Sequence, residues 1–550
     1  MLEYGYLDDE KYAVNLVKYL SQSRKMSSSF IKQEMYKRGI APEIIANTLE
    51  DAEIDNTDAL VELLLSKYVR KLEAEDGYKK VTASLMRKGF SYSDIKKAFN
   101  RIENGEYWLM ISKKVGMISL GCPKNQVDGE ALLAKLNNAG YEIVTDIEAS
   151  DVMIINTCGF IEEAKREAID AILEVAEYKN AGLISAIVVT GCLAERYQDE
   201  IIKEMPEVDA VLGIGANSDI VKVCDKALCG ITTTSFPNKC YLSLDDERMV
   251  STPSHWAYLK IAEGCDNRCA YCAIPGIRGA FRSRTMESVT AEAKKLAADG
   301  VKELILVAQD TTKYGEDLYG KYSLDTLLEN LVKIDGIEWI RLFYCYPQRI
   351  TDSLIDVIAR EEKICNYIDI PLQHSDKTVL RNMNRVGTGE DYKALLSKMR
   401  AEIPDLALRT TFMVGFPGET DRQFENLCEF VNDVQFDKMG CFTFSPEEDT
   451  PAYDMECQID EDVKKRRQEV LMNSQYTITE RLNNQRVGKT YKVIIDGFDG
   501  EKFVGRSYMD SPEIDSGIIF ESNKELKIGE FVNVKITDFD GYDLIGEAIV

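Results

Sequence analysis

The sequence predicts an α/β multidomain chain in four parts: N-terminal all-α repeats, a parallel α/β sheet domain, a partial TIM-like (β/α)6 barrel and a small OB-like β-barrel. Three observations carry this. Up to residue 103, apolar residues recur at three- and four-residue steps. From residue 114 onward, short β-branched runs alternate with amphipathic helical stretches. From residue 484, strand runs alternate with turn signals. The parts read as 1–105, 113–230, 250–482 and 484–550.

Composition narrows the function. The 550 residues carry 67 Lys and Arg against 93 Asp and Glu, a net charge of −26. Such a field repels phosphate backbones at long range and favours basic partners. The opening "MLEYGYLDDEKY" has no basic then apolar stretch, so it is not a signal peptide. No apolar run approaches the roughly 20 residues that span a bilayer. A soluble cytoplasmic protein with no membrane contact is expected. Fourteen cysteines in a reducing compartment point to metal or redox chemistry rather than disulfides. With two histidines, His255 and His374, imidazole-rich zinc sites are nearly excluded.

In the first part, "FIKQEMYKRGIAPEIIANTLE" and "VTASLMRKGFSYSDIKKAFNR" share one order: helix, basic residue, glycine, short turn, helix. Gly39 and Gly89 mark helix C-termini and Ser91 an N-cap, so two copies of a three-helix unit are expected. Residues 1–110 hold 17 basic and 18 acidic side chains, so nearly all the negative charge lies downstream. On "GYLDDEKYA", "KMSSSFIKQEMYKRGI" and "LMRKGFSYSDIKKAF", this part resembles the RecX family, modulators of the RecA recombinase. The resemblance implies a RecA contact through residues 1–105, set against a passive helical appendage. RecX proteins usually have three such repeats, and the chain starts near the second. Met110 and "ISKKVGMISLGC" look like the opening of a separate protein, as in a gene fusion or two joined reading frames.

In the second part, "KVGMISLGC", "DVMIINTCG" and "AIVVTGCLA" read as buried parallel strands that end at Cys122, Cys158 and Cys192. Parallel strands share one C-terminal rim, where ligands bind. The three thiols should therefore converge, with Gly121, Gly159 and Gly191 letting the backbone come close. Thiolates are the usual ligands of iron–sulfur clusters, and a shared cluster is expected here.

In the third part, "WAYLKIAEG", "ELILVAQD", "WIRLFYCYP", "YIDIPLQH", "LRTTFMVGF" and "KMGCFTFS" read as six strands with helices between them. Chemistry on such a barrel sits at the C-terminal mouth. There "EGCDNRCAYC" places Cys265, Cys269 and Cys272 in C-x-x-x-C-x-x-C spacing. Three thiolates can hold three corners of a 4Fe–4S cube and leave the fourth iron open to a small molecule. Zinc fails on spacing and on the missing fourth ligand. This motif resembles that of the radical S-adenosylmethionine superfamily. Gln309, Asp310, Gln373 and Arg409 are candidate contacts to S-adenosylmethionine or substrate, beside His374 and the turn Gly415 to Gly418. Cys224, Cys229, Cys240, Cys345, Cys365, Cys428, Cys441 and Cys457 are scattered and read as packing residues.

The tail reads as five strands of OB-like type. Residues 484–550 carry 8 basic and 13 acidic side chains, which argues for a basic protein surface over RNA.

From residue 113, "SLGCPKNQVDGE", "NTCGFIEEAK", "TGCLAERY", "GCDNRCAYCAIPGIRGAFRSR", "PLQHSD" and "GFPGETD" resemble the methylthiotransferase family, and the tail resembles its TRAM domain. "YLKIAEGCDNRCAYCAIPGIRG" and "GRSYMDSPEIDSG" are most similar to its RimO-type branch. That branch methylthiolates the β-carbon of an aspartate in the twelfth small-subunit ribosomal protein. Gly129 stands where the family commonly has serine. The resemblance implies two 4Fe–4S clusters, one on Cys122, Cys158 and Cys192 and one on Cys265, Cys269 and Cys272. One S-adenosylmethionine then supplies a methyl group and a second a radical that removes hydrogen from the substrate carbon. An electron-donor protein and a sulfur source are implied partners. Two alternatives stand beside it: a MiaB-like tRNA adenosine methylthiotransferase, and a RecX-like, RecA-modulating redox regulator.

Overall fold

The computed structural model describes residues 9–23, 26–52, 56–64, 77–103 and 113–549. The N-terminal helices are Asp9–Lys18, Ser28–Lys37, Pro42–Asp51, Asn56–Leu63, Gly77–Arg87 and Tyr92–Glu103. Ser27 and Ser91 cap two of them by accepting from the Phe30 and Asp94 N–H groups. The repeat expected from the sequence is present as two separate cores. One gathers Leu16, Ile31, Met35 and Ile45, the other Leu60, Val81, Leu85 and Ile95. Part of the "DALVELLLSKYVRKLEAE" stretch, and the linker with Met110, lie outside the described residues.

The next sheet has six parallel strands: β1 (Lys113–Ser119), β2 (Tyr141–Ile143), β3 (Val152–Thr157), β4 (Ala186–Gly191), β5 (Ala210–Leu212) and β6 (Thr233–Ser235), in the order β2-β1-β3-β4-β5-β6. Every residue of β3 and β4 is buried, as a strand covered by helices on both faces requires. In this flavodoxin-like order the strand direction of travel switches between β1 and β3, where a crevice opens at the C-terminal ends.

A second sheet holds β7 (Trp256–Lys260), β10 (Glu303–Val307), β11 (Trp339–Leu342), β12 (Ile364–Gln373), β13 (Ala407–Val414) and β14 (Lys438–Thr443). All pair in parallel and in sequence order, so six β–α units form an open, partial barrel. Leu259, Leu306 and Leu342 face its helices. Between β7 and β10, the short strands β8 (Ala262–Glu263) and β9 (Arg282–Ser283) pair antiparallel and close the loop that carries Cys265, Cys269 and Cys272.

The tail folds into a closed barrel of β15 (Thr490–Phe498), β16 (Phe503–Arg506), β17 (Ile518–Glu521), β18 (Phe531–Asp540) and β19 (Asp543–Ile549). It packs Val493, Ile518 and Val534 against Trp256, Tyr258, Ile305 and Tyr367, which point away from the helices. Ion pairs stitch the same seam: Glu303 to Arg341 at 2.8 Å and to Arg506 at 2.6 Å, and Lys438 to Asp510 at 2.8 Å. His255 joins this seam through Asp496, 2.7 Å away. Among the described residues, no helix is long and apolar enough to cross a membrane.

Candidate active site

β1, β3 and β4 are neighbours, and each runs into a cysteine beside a glycine. Gly121 has φ +90° and Gly191 φ +94°. A Cβ on Gly121 would lie 2.6 Å from Cys158 Cβ, and one on Gly191 would lie 2.4 Å from the Thr157 oxygen. Only glycine lets the strand ends close up this far. At Gly129, a Cβ would come within 2.9 Å of Asn156 Nδ2, so the smaller residue matches tight packing here.

The three thiols meet those of the second sheet. Cys122, Cys158, Cys192, Cys265, Cys269 and Cys272 all line one cavity of about 450 Å³. The loop carrying the last three is pinned at several points. The Cys265 N–H donates to the Gly279 carbonyl, and Ala270 N–H to that of Met383. Asn267 Nδ2 donates to Asp310 at 2.9 Å, and Lys313 binds Asp266 at 2.7 Å.

Gln309 and Gln373 line the cavity as well. Gln309 Nε2 donates to Glu263 at 2.9 Å, while its oxygen is buried with no hydrogen-bond partner. Asp310 is buried behind the cysteine loop, where it accepts from Asn267, Thr312 and Arg349. It is not among the cavity-lining residues. Arg409 is a correction. It is the third residue of an eight-residue strand, not its end, and its guanidinium binds Asp369 at 2.9 Å and Asp515 at 3.3 Å in the seam with the tail barrel. His374 is a satisfied core histidine. Nδ1 accepts from the Asp376 N–H, and Nε2 faces Glu419 at 3.4 Å. Cys345, read as a packing residue, is buried and also lines the cavity. Cys240, in the short 3-10 helix Lys239–Tyr241, and Cys457, in a surface loop, are exposed rather than packed.

Sequence reasoning missed the cations. Arg278 closes the short helix Ile274–Arg278 and is almost wholly buried. It donates to Asp128 at 2.5 Å, Glu263 at 3.0 Å, Asn125 at 3.2 Å and Cys192 Sγ at 3.4 Å. Lys260 binds the same two carboxylates. Burial pushes Glu263 up, but Arg278 and Lys260 outweigh it and hold the carboxyl well below its usual range. Arg385 donates to the Pro371 carbonyl at 2.6 Å and stands 4.0 Å from Cys269 Sγ. Lys124 lies over the Tyr344 ring, 3.3 Å from its centroid. The signal in the sequence was position: Lys124 is two residues past Cys122, and Arg278 six past Cys272.

The thiols differ in environment. Burial pushes Cys192 up to about 12 and Cys265 up to about 11, and raises Cys158 and Cys272. Cys122 goes the other way. Burial would raise it, but Lys124, Arg278 and the N–H groups of Asn125 and Lys124 favour its thiolate more strongly.

Comparison with known proteins accords with this geometry. Residues 114–213 match the family described as "Uncharacterized protein family UPF0004", residues 259–431 the radical SAM superfamily and residues 487–549 the TRAM domain. Residues 8–49 match the second three-helix domain of RecX. The ribosomal protein uS12 methylthiotransferase RimO of Acetivibrio thermocellus is 50% identical over 449 residues, covering 80% of this chain and 99% of its own. Its namesake in Clostridioides difficile is 48% identical over 79% of this chain and 99% of its own. Among solved structures, the radical S-adenosylmethionine methyltransferase TsrM of Kitasatospora setae has a TM-score of 0.48 and 13% identity, over 71% of this chain and 79% of its own. At half-identity over essentially the full length of those relatives, the chain belongs to the RimO family of radical SAM methylthiotransferases.

Proposed function

We propose that the chain adds a methylthio group to the β-carbon of an aspartate in ribosomal protein uS12. In this reading, Cys265, Cys269 and Cys272 hold one 4Fe–4S cluster, and Cys122, Cys158 and Cys192 a second. The single observation that carries it is the common cavity that both cysteine trios line. The donor sets suit the group. Each is three thiols lining one cavity, and thiolates are the usual ligands of iron–sulfur clusters.

Bound clusters and S-adenosylmethionine supply the one-electron and sulfur chemistry that a C–H bond without an acidic proton demands. The chain's own residues position and shield. Arg278 ties Cys192 to Asp128 and Glu263, which fixes one trio against the other. Gln309, whose side-chain oxygen has no partner, would be a contact for the ammonium group of S-adenosylmethionine, and Glu263 holds its amide in place. Asp310 anchors Asn267 on the cysteine loop. Phe160 and Ile274 give the cavity apolar walls, which would limit water around a reactive intermediate. The tail barrel, with more acidic than basic side chains, suits a basic ribosomal protein better than a tRNA. A reductant protein and a sulfur source complete the set, in the cytoplasm where ribosomes assemble.

The test is the intact mass of uS12 from cells with and without this gene. A methylthio increment that disappears on deletion supports the reading, and an unchanged mass rejects it. The RecX match over residues 8–49 favours a second, separate role for the N-terminal repeats, contact with RecA. Co-sedimentation of the full chain with RecA filaments tests it, and absence from the pellet removes it.

A further inference from the structure

Three cations line the cavity: Lys124, Arg278 and Arg385. Arg278 has Asp128 and Glu263 as counter-charges. Arg385 has no carboxylate; it donates to the Pro371 carbonyl and the Tyr271 hydroxyl, and its Nε is buried without a partner. Lys124 is 8% exposed and meets Tyr344, through the ring face and through a side-chain hydrogen bond. Among the described residues, no carboxylate pairs with it. The Cys122 thiolate is the one anion within the protein that the ammonium favours, and a buried ammonium on an open cavity wall gains from a second anion placed there. Tyr344 supports the same view. It holds φ +59°, a conformation that side chains rarely adopt, and its N–H is fixed by Asp369 at 3.1 Å. Strain of this kind persists where the surroundings impose it, and here the ring it places lies under the ammonium and on the cavity wall.

We infer that Lys124 is the specificity residue for the substrate, pairing with the side-chain carboxylate of the target aspartate. This rests on the proposed reading that an aspartate of uS12 is modified. Lys124 lines the same cavity as both trios, so a carboxylate held there brings its neighbouring β-carbon into that shared space. The pairing is a charge contact throughout: no proton or electron moves through the lysine. It also selects against neutral substrates such as an adenine ring, which leave the ammonium unpaired. The rival counter-anion is the Cys122 thiolate itself.

The test is binding of the reconstituted full-length enzyme, by fluorescence anisotropy without reductant, to uS12 and to uS12 with the target aspartate replaced by asparagine. The wild type is expected to prefer the aspartate form by about tenfold or more, the size of a buried charge coupling. Lys124→Met is expected to bind both forms equally with unchanged iron content, and Lys124→Arg to retain a preference. A preference that survives in Lys124→Met, or is missing in the wild type, overturns the inference. So does a Lys124→Met protein that takes up less iron or shows an altered cluster EPR spectrum, since the lysine then serves Cys122. Failure of the wild type to methylthiolate uS12 is read separately from intact mass and counts against the function, not against the lysine alone.

Discussion

Arg278 Nη2 stands 3.4 Å from the Cys192 sulfur. Cys192 follows the end of β4 in the first sheet, and Arg278 ends the short helix after the cysteine loop of the second, 86 positions away in sequence. Through this arginine, the strand-end thiols of the first sheet are coupled to Glu263, which precedes the cysteine loop of the second. The carboxylates Asp128 and Glu263 share two buried cations, so the seam is charge-balanced rather than apolar.

Removing one member leaves the others unpaired. Arg278→Met deprives Asp128, Glu263 and Cys192 of a donor at once. Breaking a buried ion network this way costs about 3–5 kcal/mol. Arg278→Lys is expected to recover part of this, because one ammonium cannot reproduce a planar fork that reaches four acceptors. Urea midpoints of the three proteins check the order wild type, Lys, Met. Equal midpoints would show that the network contributes nothing to stability.

The cysteines divide into two sets. Cys192→Ala is expected to lose the iron held with Cys122 and Cys158 and keep the rest. Cys269→Ala is expected to do the converse and also to abolish S-adenosylmethionine cleavage. Cys345→Ala, in the same cavity but outside both trios, is expected to keep all iron. Iron and sulfide analysis with EPR of each reduced protein separates these cases. Loss of iron from Cys345→Ala would redraw the ligand sets.

The cysteine positions were readable in the sequence because local chemistry determines them. A β-branched run, a glycine and a cysteine repeat three times, and parallel strands share one rim. The C-x-x-x-C-x-x-C spacing is equally local. Arg409 was misplaced because "LRTT" opens its strand, and an apolar run does not say which of its polar residues lies at the mouth. Lys124, Arg278 and Arg385 were missed for a different reason. Their meaning lies in partners far along the chain, such as Asp128 for Arg278, 150 positions away. The positive φ of Tyr344 has no sequence signal, since the fold imposes it against the residue's own preference.

The N-terminal repeats make a prediction of independence. The relatives match 80% of this chain over 99% of their own length. A chain starting at residue 111 is therefore expected to keep its iron content and its activity on uS12. Parallel reconstitution of the full and shortened proteins checks this. A shortened chain that folds and loads iron yet loses activity would assign the repeats a part in the reaction.

The seam between sheet and tail barrel makes a prediction about acid. Glu303 is wholly buried between Arg341 and Arg506. Burial favours its neutral form, but the two guanidiniums outweigh that and hold its carboxyl below the usual value. Below about pH 4.3, the ordinary glutamate value, the unfolded chain gains a proton that the folded chain still refuses. The stabilisation from Glu303 is therefore complete above that pH and is lost as pH falls toward the folded value. Glu303→Gln is expected to cost about 3–5 kcal/mol at neutral pH by leaving two buried arginines short of an anion. It is also expected to flatten the acid limb, because the substituted side chain no longer titrates. Asp496 and Asp510 are held low in the same seam, so the wild-type limb has other contributors and the difference between the proteins isolates Glu303. Urea midpoints at pH 7 and pH 4, on cluster-free chains so that acid loss of iron does not enter, check both. Parallel declines in the two proteins would remove Glu303 as a source of the acid sensitivity.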